Sequence, residues 1–163
     1  MLNRVLVIPV VLAAVCLFAA TQPCRAEPQE QALDAGLVNP GYVEKPAWFA
    51  NSFLDIREDV SEAAAAGKRV ILYFYQDGCP YCQKLLDTNF ALRETEDKTR
   101  SHFEVIAINM WGDREGTGFD GEETTEKAFA RTLRVMFTPT LLFLDEAGRV
   151  VLRVNGYYPP HKF

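Results

Sequence analysis

The run Cys79-Pro80-Tyr81-Cys82 constrains this chain more than any other stretch, because of what stands on either side of it. Before it lie Val70-Ile71-Leu72-Tyr73-Phe74-Tyr75 and a polar turn, Gln76-Asp77-Gly78. After it a helical pattern runs from Gln83 through Leu85 and Leu86 to Phe90. A continuous run of branched and aromatic residues reads as a strand covered on both faces, so the cysteines fall where a buried strand hands over to a helix. The first turn of a helix leaves backbone N–H groups unpaired and carries a partial positive charge. A thiolate at Cys79 is stabilised there, which lowers its pKa from about 8.5 towards a range of about 3.5–7.5. Pro80 suits a first turn because it has no N–H to leave unpaired. Cys82, three residues on, shares a side of the helix with Cys79, so the pair can close a small, reducible disulfide.

Three other uses of such a pair stand beside a redox site. Zinc needs about four ligands, and outside the first 26 residues the chain offers these two cysteines with His102 and His161, at no ligand spacing. A purely structural disulfide usually closes a longer loop, since short loops stabilise least. A copper site would join the pair to a remote histidine, but no Met-rich or His-rich segment accompanies it. The agreement of strand, turn, motif and helix favours the redox reading.

The compartment is read from the start of the chain. Met1-Leu2-Asn3-Arg4 is a short, positively charged lead, Val5 to Ala20 is apolar throughout, and Thr21 to Ala26 ends in small residues at Cys24 and Ala26. Residues 1–26 therefore read as a secretory signal peptide cleaved after Ala26. The alternative is an N-terminal membrane anchor, although the apolar run contains Pro9 and falls short of the ~20 residues that span a bilayer. Val15 and Pro23 precede Cys16 and Cys24 where a lipoprotein signal wants a small residue. Cleavage removes both of these cysteines, and it lowers the net charge from −5 to −7 because it deletes Arg4 and Arg25 and no acid. The acidic balance gives no footprint for nucleic acid. In an oxidising compartment a lone pair of cysteines in one motif points to catalysis rather than scaffolding.

Residues 27–45, polar with Pro28, Gly36, Pro40 and Gly41, read as a weakly ordered linker, and 46–163 as one domain. Trp48, Phe49, Phe53, Leu54, Ile56 and Val60 recur at roughly helical spacing, and Gly67 follows Ala63-Ala64-Ala65-Ala66, which predicts one amphipathic helix of four or five turns. A strand over Arg69–Tyr75 and the cysteine helix to about Leu92 come next. A charged helical turn over Thr95–Ser101 and a second strand over Phe103–Met110 follow. Trp111 to Glu123 is rich in glycine and acids at a spacing that does not fit a calcium loop, and reads as a solvated loop. Thr124–Arg134 is a short helix capped by Thr124 or Thr125. Leu141–Leu144 and Arg149–Val154 form a β-hairpin through the turn Asp145-Glu146-Ala147-Gly148, with Pro139 opening its first strand. The order helix, strand, helix, strand, helix, strand, strand argues an α/β domain with a mixed central sheet flanked by helices.

A CxxC motif at a strand-to-helix junction, with Thr138-Pro139 opening a later strand, resembles the thioredoxin fold over about Trp48 to Tyr158. The stretches Gln76 to Cys82, Trp111-Gly112-Asp113-Arg114-Glu115 and Phe137-Thr138-Pro139-Thr140 resemble more narrowly the SoxW-like and DsbD-related periplasmic thioredoxins. The resemblance implies that Cys79 attacks and Cys82 resolves, that Pro139 is a cis-proline facing the disulfide, and that Thr138 offers backbone hydrogen bonds to a substrate chain. Tyr81 and Trp111, with Tyr75 and Phe137, are candidates for an apolar substrate rim, Tyr75 and Phe137 being equally readable as core. The chain departs from thioredoxin in places. Tyr73 stands where thioredoxin has a buried aspartate and Ala107 where it has a lysine, so a glutamate, a water or Asp77 would have to take the proton of Cys82. Pro80-Tyr81 is the glutaredoxin dipeptide, but no Gly-Gly segment for glutathione follows the hairpin. Pro159 to Phe163 stands where the fold begins its final helix, so the resemblance implies either a fragment or a final helix missing or truncated, which would leave one sheet face less covered.

The resemblance implies a periplasmic thiol:disulfide oxidoreductase, a monomer working as a reductase of protein disulfides. It needs no cofactor beyond its own Cys79–Cys82 pair. Its electrons would come from a membrane donor of the CcdA or DsbD kind, and cytochrome c apoproteins or sulfur-oxidation proteins are its candidate substrates. The alternatives are an oxidase or isomerase on the same fold, since the reduction potential sets the direction, and a non-catalytic binding or metal-carrying module.

Overall fold

The computed structural model describes residues 41–163. In chain order its elements are α1 (Ile56–Ala65), β1 (Arg69–Tyr75) and α2 (Pro80–Leu85), which runs on into a π-helical turn, Leu86–Phe90. Then come α3 (Arg93–His102), β2 (Phe103–Asn109), β3 (Glu115–Thr117), β4 (Glu123–Thr125) and α4 (Glu126–Thr132). The chain closes with β5 (Thr140–Leu144), β6 (Val150–Asn155) and a 3-10 turn at Pro160–Lys162. The signal peptide expected over 1–26 and most of the expected linker lie outside the described residues.

β1 is the centre of a four-stranded sheet of order β2-β1-β5-β6. It pairs in parallel with β2, from Arg69↔Phe103 to Tyr75↔Asn109, and antiparallel with β5. Side chains alternate between the faces of a strand. Val70, Leu72 and Phe74 therefore enter one core beneath α1 and α4, while Ile71 and Tyr73 enter another with Leu85, Leu86 and Phe90 of the cysteine helix. Cover on both faces explains why the strand carries no charge between Val70 and Tyr75. The hairpin of β5 and β6 forms as its turn chemistry predicts. The Asp145 carboxylate accepts from the backbone of Ala147 and Arg149, and Gly148 adopts φ +76°. Arg153 reaches from β6 to donate to the carbonyls of Leu133 and Arg134 after α4.

Three segments differ from the sequence-based expectation. The helix predicted from Trp48 begins only at Ile56. Asp55 caps it by accepting from Glu58 N at 3.0 Å, Ser52 Oγ accepts from Leu54 N at 2.7 Å, and Leu54 itself sits at φ +66°. These local bonds turn the chain and stop the helix from extending backwards. Upstream, Ala50 N bonds Val105 O on the free edge of β2, Trp48 and Phe49 pack on the face opposite α1, and Phe53 is 93% exposed. The expected solvated loop contains a small antiparallel pair, β3 with β4, fastened to the domain by Thr117 N on Leu54 O at 2.8 Å. The domain also begins before residue 46, because Val43 of the expected linker is buried against the cysteine face.

The sheet is less covered towards β6, whose residues are mostly exposed, and a groove of about 670 Å³ opens between α3, β6 and the terminal turn. Along the cysteine helix the C-terminal stretch lies close. Asn89, buried in the π-turn, donates to Tyr158 O at 3.0 Å, and Thr88 Oγ1 lies 3.1 Å from the Tyr157 hydroxyl.

Candidate active site

Cys79 is the N-cap of α2, with Pro80 at the first helical position. Gly78, at φ +73°, makes the turn from β1 that only a residue without Cβ adopts readily. The two cysteines are joined in a disulfide with a Cα–Cα separation of 5.2 Å. The backbone N–H of Cys82 donates to Cys79 Sγ at 3.1 Å, so charge developing on that sulfur meets a helix N-terminus. Both cysteines are buried, Cys82 completely.

The Thr138–Pro139 peptide is cis, as the resemblance implies, and Pro139 leads directly into β5. Thr138 O lies 3.7 Å and Thr138 Oγ1 3.4 Å from Cys79 Sγ. The loop is held by Thr140 Oγ1 on Phe137 O at 2.7 Å and by Gly156 N on Pro139 O at 2.7 Å. The structure thus brings Cys79, Cys82, Thr138 and Pro139 together. Tyr81 is exposed and stacks on Tyr157 at 6.3 Å. Trp111 is exposed and donates through its indole N–H to Gln76 Oε1 at 3.0 Å, beside the turn into the motif. Phe137 is exposed rather than core, and so is its neighbour Met136, which the sequence did not single out. Tyr75 is half-buried and stacks on Tyr73.

The two departures from thioredoxin prove to be one local change, since Tyr73 and Ala107 are register partners on β1 and β2. Tyr73 is fully buried, and its hydroxyl donates to Cys82 O at 3.3 Å. Burial, with Tyr75 close by, pushes its phenol well above the ordinary value, which makes it a hydrogen-bond donor and not a proton acceptor. Asp77 is exposed and accepts from Asn109 Nδ2 at 3.4 Å. A carboxylate the sequence did not single out, Glu126, is buried at the start of α4. It accepts from Asn109 N at 3.1 Å and pairs with Arg114 at 3.0 Å, while Arg114 also donates to Ala107 O. Gly112 lies against this carboxylate, and a Cβ there would run into it.

Glu126, Arg114, Asn109, Tyr75 and Lys45 line a cleft of about 450 Å³ on the β2 side of the motif turn. Lys45 holds its ammonium 3.8 Å from the Tyr75 ring centre and 4.4 Å from that of Tyr42. Burial lowers its pKa, against the pull of Asp77 and Glu126. Burial likewise pushes the Tyr75 phenol up to about 12, with Glu126 and Asp77 adding to it. Among the described residues no three His, Cys, Asp or Glu side chains gather as a metal site. His102 ends α3, and His161 lies in the terminal turn.

Solved structures share this architecture. A thioredoxin-fold protein from Helicobacter pylori superposes with a TM-score of 0.54 at 23% identity, covering 69% of each chain. A thioredoxin from Thermus thermophilus superposes at 0.50 with 28% identity, covering 64% of this chain and 75% of its own. No curated protein sequence matches the chain. The family model described as a thioredoxin-like domain matches residues 56–163. Since that match takes in both the junction that bears the cysteines and the strand that faces them, the chain belongs to the family of thioredoxin-like domains.

Proposed function

We propose that this chain is a thiol:disulfide oxidoreductase of the periplasm that reduces disulfides in protein substrates. The observation that carries the reading is the placing of Cys79 Sγ: at a helix N-terminus, bonded to Cys82, and within 3.7 Å of the Thr138 carbonyl. In the reduced protein the Cys79 thiolate attacks one sulfur of a substrate disulfide. That S–S bond breaks, a mixed disulfide forms, and the departing substrate thiolate takes a proton. Cys82 then loses its proton and attacks Cys79, which releases the second substrate thiolate and leaves the Cys79–Cys82 disulfide. Two electrons pass from the enzyme dithiol to the substrate. The exposed Tyr81, Trp111, Met136 and Phe137 supply an apolar rim on which a substrate chain can lie, next to Thr138 and Pro139.

The oxidised enzyme is returned to the dithiol by a membrane-embedded thiol carrier, and residues 1–26 export the chain to the compartment where that carrier faces it. The deciding measurement is the redox equilibrium of the Cys79–Cys82 pair with glutathione. A potential near about −270 mV, the value of thioredoxin, supports a reductase, and one near about −120 mV makes the protein an oxidant. A chain with no reversible exchange is no oxidoreductase. In the same assay Cys82→Ser should accumulate covalent mixed disulfides with substrates, which a non-catalytic binding module would not form.

A further inference from the structure

The strap of residues 41–45 reaches the site from a part of the chain that the family match leaves out, since that match begins at residue 56. It is fastened at both ends. The Gly41 carbonyl accepts from Gly78 N–H, on the residue immediately before Cys79. Gly41 sits at φ +103°, and a Cβ there would lie 2.7 Å from Gly78 N and 2.8 Å from Gly78 Cα. A glycine is what allows two backbones to meet at that distance and that angle. At the other end the Lys45 ammonium is held between the rings of Tyr42 and Tyr75, the last residue of β1. Between these anchors Val43, 3% exposed, packs in the same buried cluster as Cys79 and Cys82.

We propose that this strap is a positioning element of the dithiol site, which holds the Gly78 turn and the cysteines so as to set the balance between disulfide and dithiol. The inference rests on reading the site as a redox pair. Reduction breaks the S–S bond and lets the two sulfurs move apart. Cys79 then keeps its place under the Cys82 N–H only if the turn that presents it stays fixed, and the strap is bonded to that turn. With the S–S bond closed the two sulfurs hold each other in place, whereas in the dithiol only the turn does, so a contact that fixes the turn weights the two redox forms unequally. A contact made elsewhere stabilises both forms alike. By linkage, the difference in folding stability between the oxidised and reduced forms changes by the same amount as the exchange equilibrium.

The test uses the full chain with Gly41→Ala, and separately with Val43→Ala, which keeps every backbone contact of the strap. Both the glutathione exchange constant and the denaturant unfolding of each redox form are measured. Gly41→Ala is expected to move the exchange constant about tenfold, which for this two-electron couple is about 30 mV, and Val43→Ala by about threefold. A strap that is merely structural lowers the stability of both forms equally and leaves the exchange constant unchanged in both variants, and that result overturns the inference. Failure of the unsubstituted chain to exchange with glutathione at all would instead overturn the redox reading on which it rests.

Discussion

On one face of the sheet α1 and α4 close over a mainly aliphatic layer, Val70, Leu72, Ile106, Ile108, Leu142 and Leu144 among it. On the other face the packing around the cysteines is aromatic. Phe49 meets Tyr73 and Phe90 edge to face at 5.9 and 5.5 Å, and Trp48 meets Phe90 at 5.8 Å. Both layers remove apolar surface from water. Edge-to-face rings also have preferred orientations that branched aliphatic chains lack. The aliphatic face supplies burial, whereas the aromatic face also fixes the direction of the strand end and helix start from which the sulfurs project.

That contrast can be broken or sharpened by substitution. Replacing the nucleophile has the largest effect: Cys79→Ser should drop the reduction of a disulfide-bonded test protein to the uncatalysed rate. Phe90→Ala on the aromatic face should lower stability by about 3–5 kcal/mol in urea and should also shift the exchange equilibrium with glutathione. Leu72→Ala on the aliphatic face should cost about 2–5 kcal/mol in the oxidised and reduced forms alike, with the equilibrium unmoved. If Leu72→Ala shifts the equilibrium as far as Phe90→Ala does, the two faces are not different in kind. Tyr73→Phe removes only the hydroxyl on Cys82 O and should cost about 1 kcal/mol.

The smallest effect lies in the turn between β5 and β6. Bonds from the Arg149 backbone, above all, hold the Asp145 carboxyl below its ordinary 3.8. The fold thus favours the ionised form, so this contribution is complete above the ordinary value and is lost as pH falls through the lowered one. Unfolding in urea at a series of acidic pH values should show a shallower acid-side loss for Asp145→Asn.

The elements that were legible in the sequence carry their own local chemistry. The apolar run of β1, the cysteine motif, Pro139 and the Asp145–Gly148 turn each dictate a conformation within a few residues. The segment from Trp48 to Leu54 misled because its aromatic spacing imitates a helix, while Ser52 and Asp55 bond the backbone locally and bend it. β3 and β4 are three residues each, too short to show a period, and the bond from Thr117 to Leu54 that fastens them to the domain joins residues distant in the sequence. Nothing near Glu126 in the sequence sets it apart, and the partners of its buried carboxylate, Arg114 and Asn109, are brought near only by the fold. The strap was hidden for the same reason. Glycine and valine in a polar stretch read as linker until Gly78 and the cysteine cluster are placed against them.

The contacts between the cysteine helix and the C-terminal stretch have a mechanical consequence. Tyr157 touches the helix at three successive turns, stacking on Tyr81, lying under the Lys84 ammonium at 5.0 Å and meeting the Thr88 hydroxyl, while Asn89 clamps the backbone of Tyr158, 69 positions along the chain. The helix therefore behaves as a rod lashed along its outer side to a cable. A pull on residues 157–158 would therefore be passed to the same helix whose tip carries both sulfurs.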